Sequence, residues 1–238
     1  MMTFPFEKGR LRARLAAGDE DLRACQRLRH QSFFGRAGVD VAPLDPLFQH
    51  LMILDERGQL CGTLRFRVSR TGHDLNQGYV ARHYDLRRWN DVAGPFLEIG
   101  RFCTVPGDLD ADLLRMLWGA LTRVVDAQGI TMLFGCTSFE GTDPSRYGAV
   151  FHRLARKHQG PAALCPDLSD PNAVPFADIA ASGIAPMPAL LKSYLSLGGW
   201  VGDHVVIDHD MNTLHVFTCL EVNAMSAARV ARLRAVAS

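Results

Sequence analysis

A mixed α/β fold, one sheet flanked by helices, is predicted by three features of this 238-residue chain. Alternating runs such as Arg10–Leu15 read as half-buried strands, because side chains in a strand repeat every two residues. Leu113, Leu114, Leu117, Trp118, Leu121, Val124 and Val125 recur at helical spacing. The short apolar run Ile130–Cys136 that follows reads as a buried parallel strand. The full order, β-α-β-β-β-α-β-α-β-β-β-α, is that of a layered α/β protein rather than a bundle or a sandwich.

Each element has its own local reason. Gly18-Asp19 offers an N-cap, and Leu22, Cys25, Leu28 and Phe33 give a helix over Glu20–Phe34. Gly35 and Gly38 open a loop through Pro43 and Pro46. Leu51–Leu54 and Leu60–Val68 flank Asp55-Glu56-Arg57-Gly58 as a hairpin. A polar, irregular stretch runs from Arg70 to Gly94, and Pro95–Val105 follows as a central strand. Pro106-Gly107-Asp108 is a turn with a cap, and Gly129 ends the long helix, where a left-handed residue is expected. Pro144 starts a helix reaching His158. Proline-rich material from Pro161 to Pro188 precedes three strands, Lys192–Leu197, Val205–Asp208 and Leu214–Val222, and a closing helix, Ala224–Val236. No internal repeat is present. The expectation is one domain over 1–238, with 1–160 as its core and 161–238 as strands and a helix completing it.

Composition narrows the function. Charged residues make up 21% and hydrophobic ones 47%, ordinary globular values that exclude disorder and coiled coil. A net charge of +1 gives no global field that would draw the chain to nucleic acid. The six cysteines are too widely spaced for a zinc knuckle or a disulfide scaffold, and read as free thiols of a cytoplasmic protein. Charges follow Phe6 at once, so no secretory h-region is expected. The longest charge-free runs have 13 residues, against the roughly 20 needed to cross a bilayer.

Chemistry concentrates at Leu97-Glu98-Ile99-Gly100-Arg101-Phe102. Glu98 and Arg101 stand in an otherwise apolar strand, where unpaired charges are costly to bury, so they either pair elsewhere or face a cleft. Gly100 marks a bulge or a close approach by ligand, and a bulge would bring Glu98 and Arg101 to one side. Two decoys are set aside. His204 and His209 sit an odd number of residues apart, on opposite faces of a strand, so metal ligation is not expected. Cys136 has no histidine placed beside it by sequence, so a nucleophilic thiol is not expected either.

The run LEIGRF, followed by a turn, a long helix, GCTSF and a second helix, resembles the acyl-carrier-protein-dependent branch of the Gcn5-related N-acyltransferase fold, with a Glu-x-x-Arg-Phe core shared with acyl-homoserine-lactone synthases. The run LLKSYLSLGGWVGDHVVIDHDMNT is similar to the ornithine N-acyltransferases of ornithine-lipid synthesis. The joint order of LEIGRF, GCTSF and LSLGGWVGD is the specific signal, and it covers the chain from RLRHQSF to Val222. The resemblance implies that sheet and its flanking helices, with C-terminal strand and helix additions. It also implies transfer of a 3-hydroxyacyl chain from acyl carrier protein to the α-amine of ornithine, with no bound cofactor beyond the carrier's phosphopantetheine thioester. Coenzyme-A users of the fold carry a glycine-rich pyrophosphate loop before the long helix. Here that stretch is VPGDLDADL, whose aspartates would repel a pyrophosphate.

Roles follow from the resemblance. Glu98 is the base or the ammonium anchor; a carboxylate of ordinary pKa, about 4.3, is a weak base unless burial raises it. Arg101 holds the acceptor carboxylate or steers Glu98. Ser138 donates to the developing oxyanion or thiolate, or simply caps its loop. Asp203, Asp208 and Asn212 lie in the matched C-terminal pattern, where a carboxylate would hold a second ammonium; turn and capping roles are the alternative. Arg27 and Arg29 gate the acyl cleft or bind carboxylate, with a plain surface role the alternative for at least one of them. Arg146, Arg153, Arg156 and Lys157 form an acid-free basic stretch suited to an acidic carrier protein. The apolar product implies a peripheral contact with the inner face of the membrane, served by the basic N-terminal segment or the Ala-Arg tail. Three alternatives stay open: a lactone synthase using S-adenosylmethionine, against which LSLGGWVGD argues; an N-acyltransferase acting on lysine, glutamine or another amino acid; and a non-catalytic carrier-protein binding module.

Overall fold

The computed structural model describes residues 4–107 and 111–237. In chain order the elements are β1 (Phe6–Lys8), β2 (Leu11–Leu15), α1 (Asp19–Phe34), β3 (Gln49–Leu54), β4 (Leu60–Ser69), β5 (Tyr84–Asp85), β6 (Phe96–Thr104), α2 (Ala111–Gln128), β7 (Met132–Glu140), α3 (Gly148–Lys157), β8 (Asp167–Leu168), β9 (Ala173–Pro175), α4 (Ala189–Ser196), β10 (Trp200–Asp208), β11 (Thr213–Glu221) and α5 (Ala227–Ala237). The fold is mixed α/β, as the alternation of periods predicts. The chain divides into two compact units. The first comprises Met1–Val68, Ile99–Ile130 and Ser226–Ser238; the second comprises Ser69–Glu98 and Thr131–Met225. No helix among the described residues is long and apolar enough to cross a membrane.

In the first unit the strands lie in the order β1-β2-β3-β4-β6, the first four pairing antiparallel. The hairpin closes with Leu54 opposite Leu60. Helix α1 opens on Asp19, Glu20 and Asp21, acids that complement the positive end of its dipole. Helix α2 buries Leu113, Leu117, Trp118, Leu121 and Val124, the stripe expected from its spacing, and Gly129 stops it with φ 63. Its outer side receives α5, where Arg234 Nη2 lies 3.0 Å from Asp126 Oδ1.

In the second unit the order is β6-β7-β11-β10-β9, with β6 contributing Phe96–Glu98. Antiparallel pairing sets Ser138 opposite His215, Cys136 opposite Phe217, and Val206 opposite His215. Alternation then sorts the side chains. Phe139, Leu214, Val216, Val201 and Val205 face α3 and Leu191 of α4. Phe134, Phe217, Cys219 and Val206 face the other way and pack under Leu75, Val80, Tyr84, Leu86 and Trp89. Each large apolar side chain so buried contributes roughly 1.5–3 kcal/mol.

Three expectations change. Ile130–Cys136, read as a parallel strand, lies largely in β7 and pairs antiparallel with β11. Lys192–Leu197, read as a strand, lies in helix α4 and its C-cap. Pro188 fixes the entry, and Leu191 and Tyr194 sit one turn apart on the buried side. The stretch 70–94, read as irregular, is a chain of short 3-10 turns that nonetheless supplies the cover of one core.

Candidate active site

The covered face of the second unit carries polar groups as well as core. Phe96 and Glu98 are two apart on β6, so the carboxylate points the same way as the Phe96 ring, into this face. Glu98 is 2% exposed. Its Oε1 accepts the amide N–H groups of Tyr79, at 2.8 Å, and Val80, at 2.9 Å. A Cβ added to Gly78 would collide with the same carboxylate. The 3-10 turns over 72–82 therefore form the seat of Glu98, and a side chain at Gly78 would force the carboxylate or the turn to move.

Strand alternation brings Cys136, Ser138, His215 and Asp208 to the same face. Burial, with the Glu98 and Asp208 carboxylates nearby, raises the Cys136 thiol well above its ordinary range. Cys136 is thus a thiol and no nucleophile at neutral pH. Asp208 also accepts the Met211 amide at 2.9 Å, and Ser138 is exposed.

His215 is held by Tyr84. The single hydroxyl hydrogen of Tyr84 goes to the His215 carbonyl oxygen at 2.8 Å, so the Tyr84 oxygen is an acceptor toward His215 Nδ1 at 3.2 Å. Nδ1 therefore carries the hydrogen and Nε2 the lone pair. Burial, reinforced by neighbouring His83, pushes His215 down to about 4, so it is neutral at physiological pH. Its Nε2 is buried with no hydrogen-bond partner. Beside it, His83 Nδ1 lies 2.7 Å from Asp170 Oδ2, and the two imidazoles meet edge-on at 5.0 Å. The pairing of β5 with β8, Tyr84 opposite Leu168, brings His83 and Asp170 together across the chain.

The remaining sequence candidates are dispersed. Asp203 is half exposed and takes the Nδ1 hydrogen bond of His204 at 2.7 Å. Asn212 occupies the turn before β11 with φ 49, a conformation asparagine tolerates well. Arg146, Arg153, Arg156 and Lys157 are exposed on and before α3. In the first unit Arg27 is exposed, whereas Arg29 is 1% exposed and paired with Asp40 and Asp45. Arg101 has φ 53, which breaks the alternation of β6 where a bulge was expected. Its Nε lies 4.0 Å from Asp40 and its guanidinium 5.7 Å from the Phe33 ring. Asp108 and Asp110 of the VPGDLDADL stretch lie outside the described residues. Asp112, the third aspartate, pairs with Arg115 at 2.7 Å. Among the described residues no group of three or more His, Cys, Asp or Glu is placed to hold a metal ion.

Sequence reasoning missed Gly78, Tyr79, His83, Tyr84, Asp170 and His215. Only His215 left a signal, as a polar residue at an inward position of a predicted strand. The others come from segments without a period.

Comparison with known proteins fits this architecture. Residues 25–119 match the acetyltransferase (GNAT) domain family model. The chain is 30% identical to the L-ornithine N(alpha)-acyltransferase of Rhodobacter capsulatus, covering 90% of each protein. It is 28% identical to that of Brucella abortus, covering 92% of this chain and 87% of the relative. Among solved structures, an N-acyl amino acid synthase from uncultured soil microbes superposes with a TM-score of 0.54 at 13% identity, over 93% of this chain and 95% of that one, which shows a shared fold. With 30% identity sustained over nine-tenths of both chains, this protein belongs to the L-ornithine N(alpha)-acyltransferase family and is an N-acyltransferase.

Proposed function

We propose that the protein transfers a 3-hydroxyacyl chain from acyl carrier protein to the α-amine of L-ornithine, the first step in making an ornithine lipid. The observation that carries this reading is the sustained identity to proteins of that name in three further genera as well as Rhodobacter. The chemistry of the covered face supports it. An amine attacks the thioester carbonyl, the C–N bond forms, the C–S bond breaks, and an ammonium must first lose a proton. Glu98, fixed by two amide donors, holds the ammonium. Ser138 is the donor for the developing oxyanion or the departing thiolate. Asp208, on the same face, is the carboxylate for ornithine's second ammonium.

The donor assignment rests on charge. An acidic carrier protein is steered by the exposed Arg153, Arg156 and Lys157 of α3, with Arg146 before it. Burial depresses the pKa of neighbouring His158, and the positive charges of Arg153 and Lys157 depress it further. The site of action is the cytoplasmic face of a membrane, where the product would partition.

The test is a competition of donors and acceptors. Purified protein receives equal 3-hydroxyacyl carrier protein and 3-hydroxyacyl coenzyme A, with ornithine, lysine, glutamine and S-adenosylmethionine as acceptors. N-acyl-ornithine drawn from the carrier protein is expected. Preferential use of the coenzyme A thioester would overturn the donor assignment, and a lactone product would overturn the acceptor.

A further inference from the structure

His83 and Asp170 are 87 residues apart in the chain, yet Nδ1 and Oδ2 lie at 2.7 Å. Asp170 is itself fixed: its Oδ1 accepts the Asn172 amide at 2.8 Å and its carbonyl oxygen the Ala173 amide at 3.1 Å. Burial works against its charge, but the bonds from His83 and Asn172 outweigh it and hold the carboxyl below its ordinary range. A carboxylate accepts only, so the His83 Nδ1 carries the hydrogen and Nε2 of the neutral ring carries the lone pair. A carboxylate so placed orients an imidazole and stabilises the charge it gains on taking a proton.

This pair adjoins the seat of Glu98. The Tyr79 amide binds Glu98 Oε1 at 2.8 Å, while the Tyr79 ring lies 4.9 Å from the His83 ring and 6.4 Å from that of His215. Among the described residues Asp170, Tyr79 and His215 stand against His83, and His215 is neutral, so it adds no repelling charge. The His83 side chain is 22% exposed, enough to pass a proton to water. Glu98 Oε1 is tied down by two amides, whereas His83, its Nδ1 hydrogen given to Asp170, keeps the lone pair of Nε2 for a proton.

We propose that His83, oriented by Asp170, is the general base of the acyl transfer, taking the proton from the acceptor ammonium that Glu98 holds. The inference rests on the functional reading above, in which Glu98 anchors that ammonium. One ammonium proton passes to His83 Nε2 and then to solvent. The freed amine attacks the thioester carbonyl, and as C–N forms and C–S breaks the amine's surplus proton leaves with the thiolate as thiol.

The test compares wild type, His83→Gln and Asp170→Asn by kcat/KM for the acceptor amine between pH 6 and 10, with carrier-bound donor. At pH 7 His83→Gln is expected to lose about 100-fold and Asp170→Asn about tenfold, both deficits shrinking toward pH 10 as the acceptor ammonium loses its proton unaided. A His83→Gln deficit below about threefold, or a deficit of either variant that is the same at every pH, overturns the inference and leaves the function standing. If His83→Gln does not fold, Asp170→Asn decides alone by whether its deficit varies with pH. Failure of the wild type to acylate ornithine overturns the functional reading and this inference together.

Discussion

Arg29 and Asp45 meet as a fork, Nη1 to Oδ1 at 3.0 Å and Nη2 to Oδ2 at 2.7 Å, with both residues almost wholly out of water. Arg65 Nη1 adds a bond to Oδ1 at 2.9 Å and Gln26 one to Oδ2 at 3.0 Å. Burial opposes the Asp45 charge, but the bonds from Arg29 and Gln26 prevail and keep it far below the ordinary carboxylate range. Arg29 also meets Asp40, Nε to Oδ2 at 2.8 Å, as an ion pair rather than an aligned hydrogen bond. Arg29 is thus a structural residue of the first unit whose second partner, Asp40, faces Arg101.

Asp45→Ala should therefore cost stability, because it removes the carboxylate that two buried guanidinium groups share. A loss of about 3–5 kcal/mol is expected in urea unfolding. A loss below about 1 kcal/mol, the worth of an exposed pair, would mean that the network is solvated.

Gly78→Ala tests the seat of Glu98. The new methyl group must displace the carboxylate or the turn, since it would overlap the Glu98 oxygen. Turnover should fall at least about tenfold, since small misplacements of a positioning group are costly. Full turnover in this variant would show that the position of Glu98 does not matter to the reaction.

The pH dependence of stability has a definite sign. His215 has a folded pKa of about 4 against an ordinary 6.5, so the unfolded chain takes the proton first. Stability from this group is complete above about 6.5, falls as pH drops toward about 4, and is flat below that. Burial lowers His50 and His158 as well, and they act in the same direction. In His215→Gln the loss of stability between pH 6.5 and 4.5, followed by urea midpoints, should shrink without vanishing. An unchanged loss would show that His215 titrates normally.

Reversing charge on α3 addresses the donor. Arg153→Glu with Lys157→Glu should raise KM for carrier-bound donor about tenfold at low salt, and less at high salt where the field is screened. An effect on KM that ignores ionic strength would place the carrier elsewhere.

The sequence disclosed what regular periods encode. The Leu113–Val124 stripe and the Leu54–Leu60 hairpin both lie where spacing put them. Glu98 stood out because a charge inside an apolar strand needs a reason. The seat that gives the reason was not legible, since Gly78, Tyr79 and Val80 belong to 3-10 turns whose apolar residues follow no single period. The same holds for His83 and Asp170, whose pairing depends on the two-residue strands β5 and β8. The Lys192–Leu197 segment misled because alternation over a short window cannot be told from one helical turn with Leu191 and Tyr194 inward. The Tyr84 bond that fixes the tautomer of His215 spans 131 residues and leaves no local trace.

The most direct measurement is product mass spectrometry on wild type and Glu98→Gln, each given 3-hydroxyacyl carrier protein and ornithine. Glutamine keeps the shape of Glu98 and an oxygen for the Tyr79 and Val80 amides, so the variant should fold while losing the charge proposed to hold an ammonium. The wild type should give ornithine acylated on its α-nitrogen, and Glu98→Gln should give it about 100-fold more slowly. Equal product from both proteins, or an acyl group on the δ-nitrogen, would contradict the assignment of this face as the site that receives the amine.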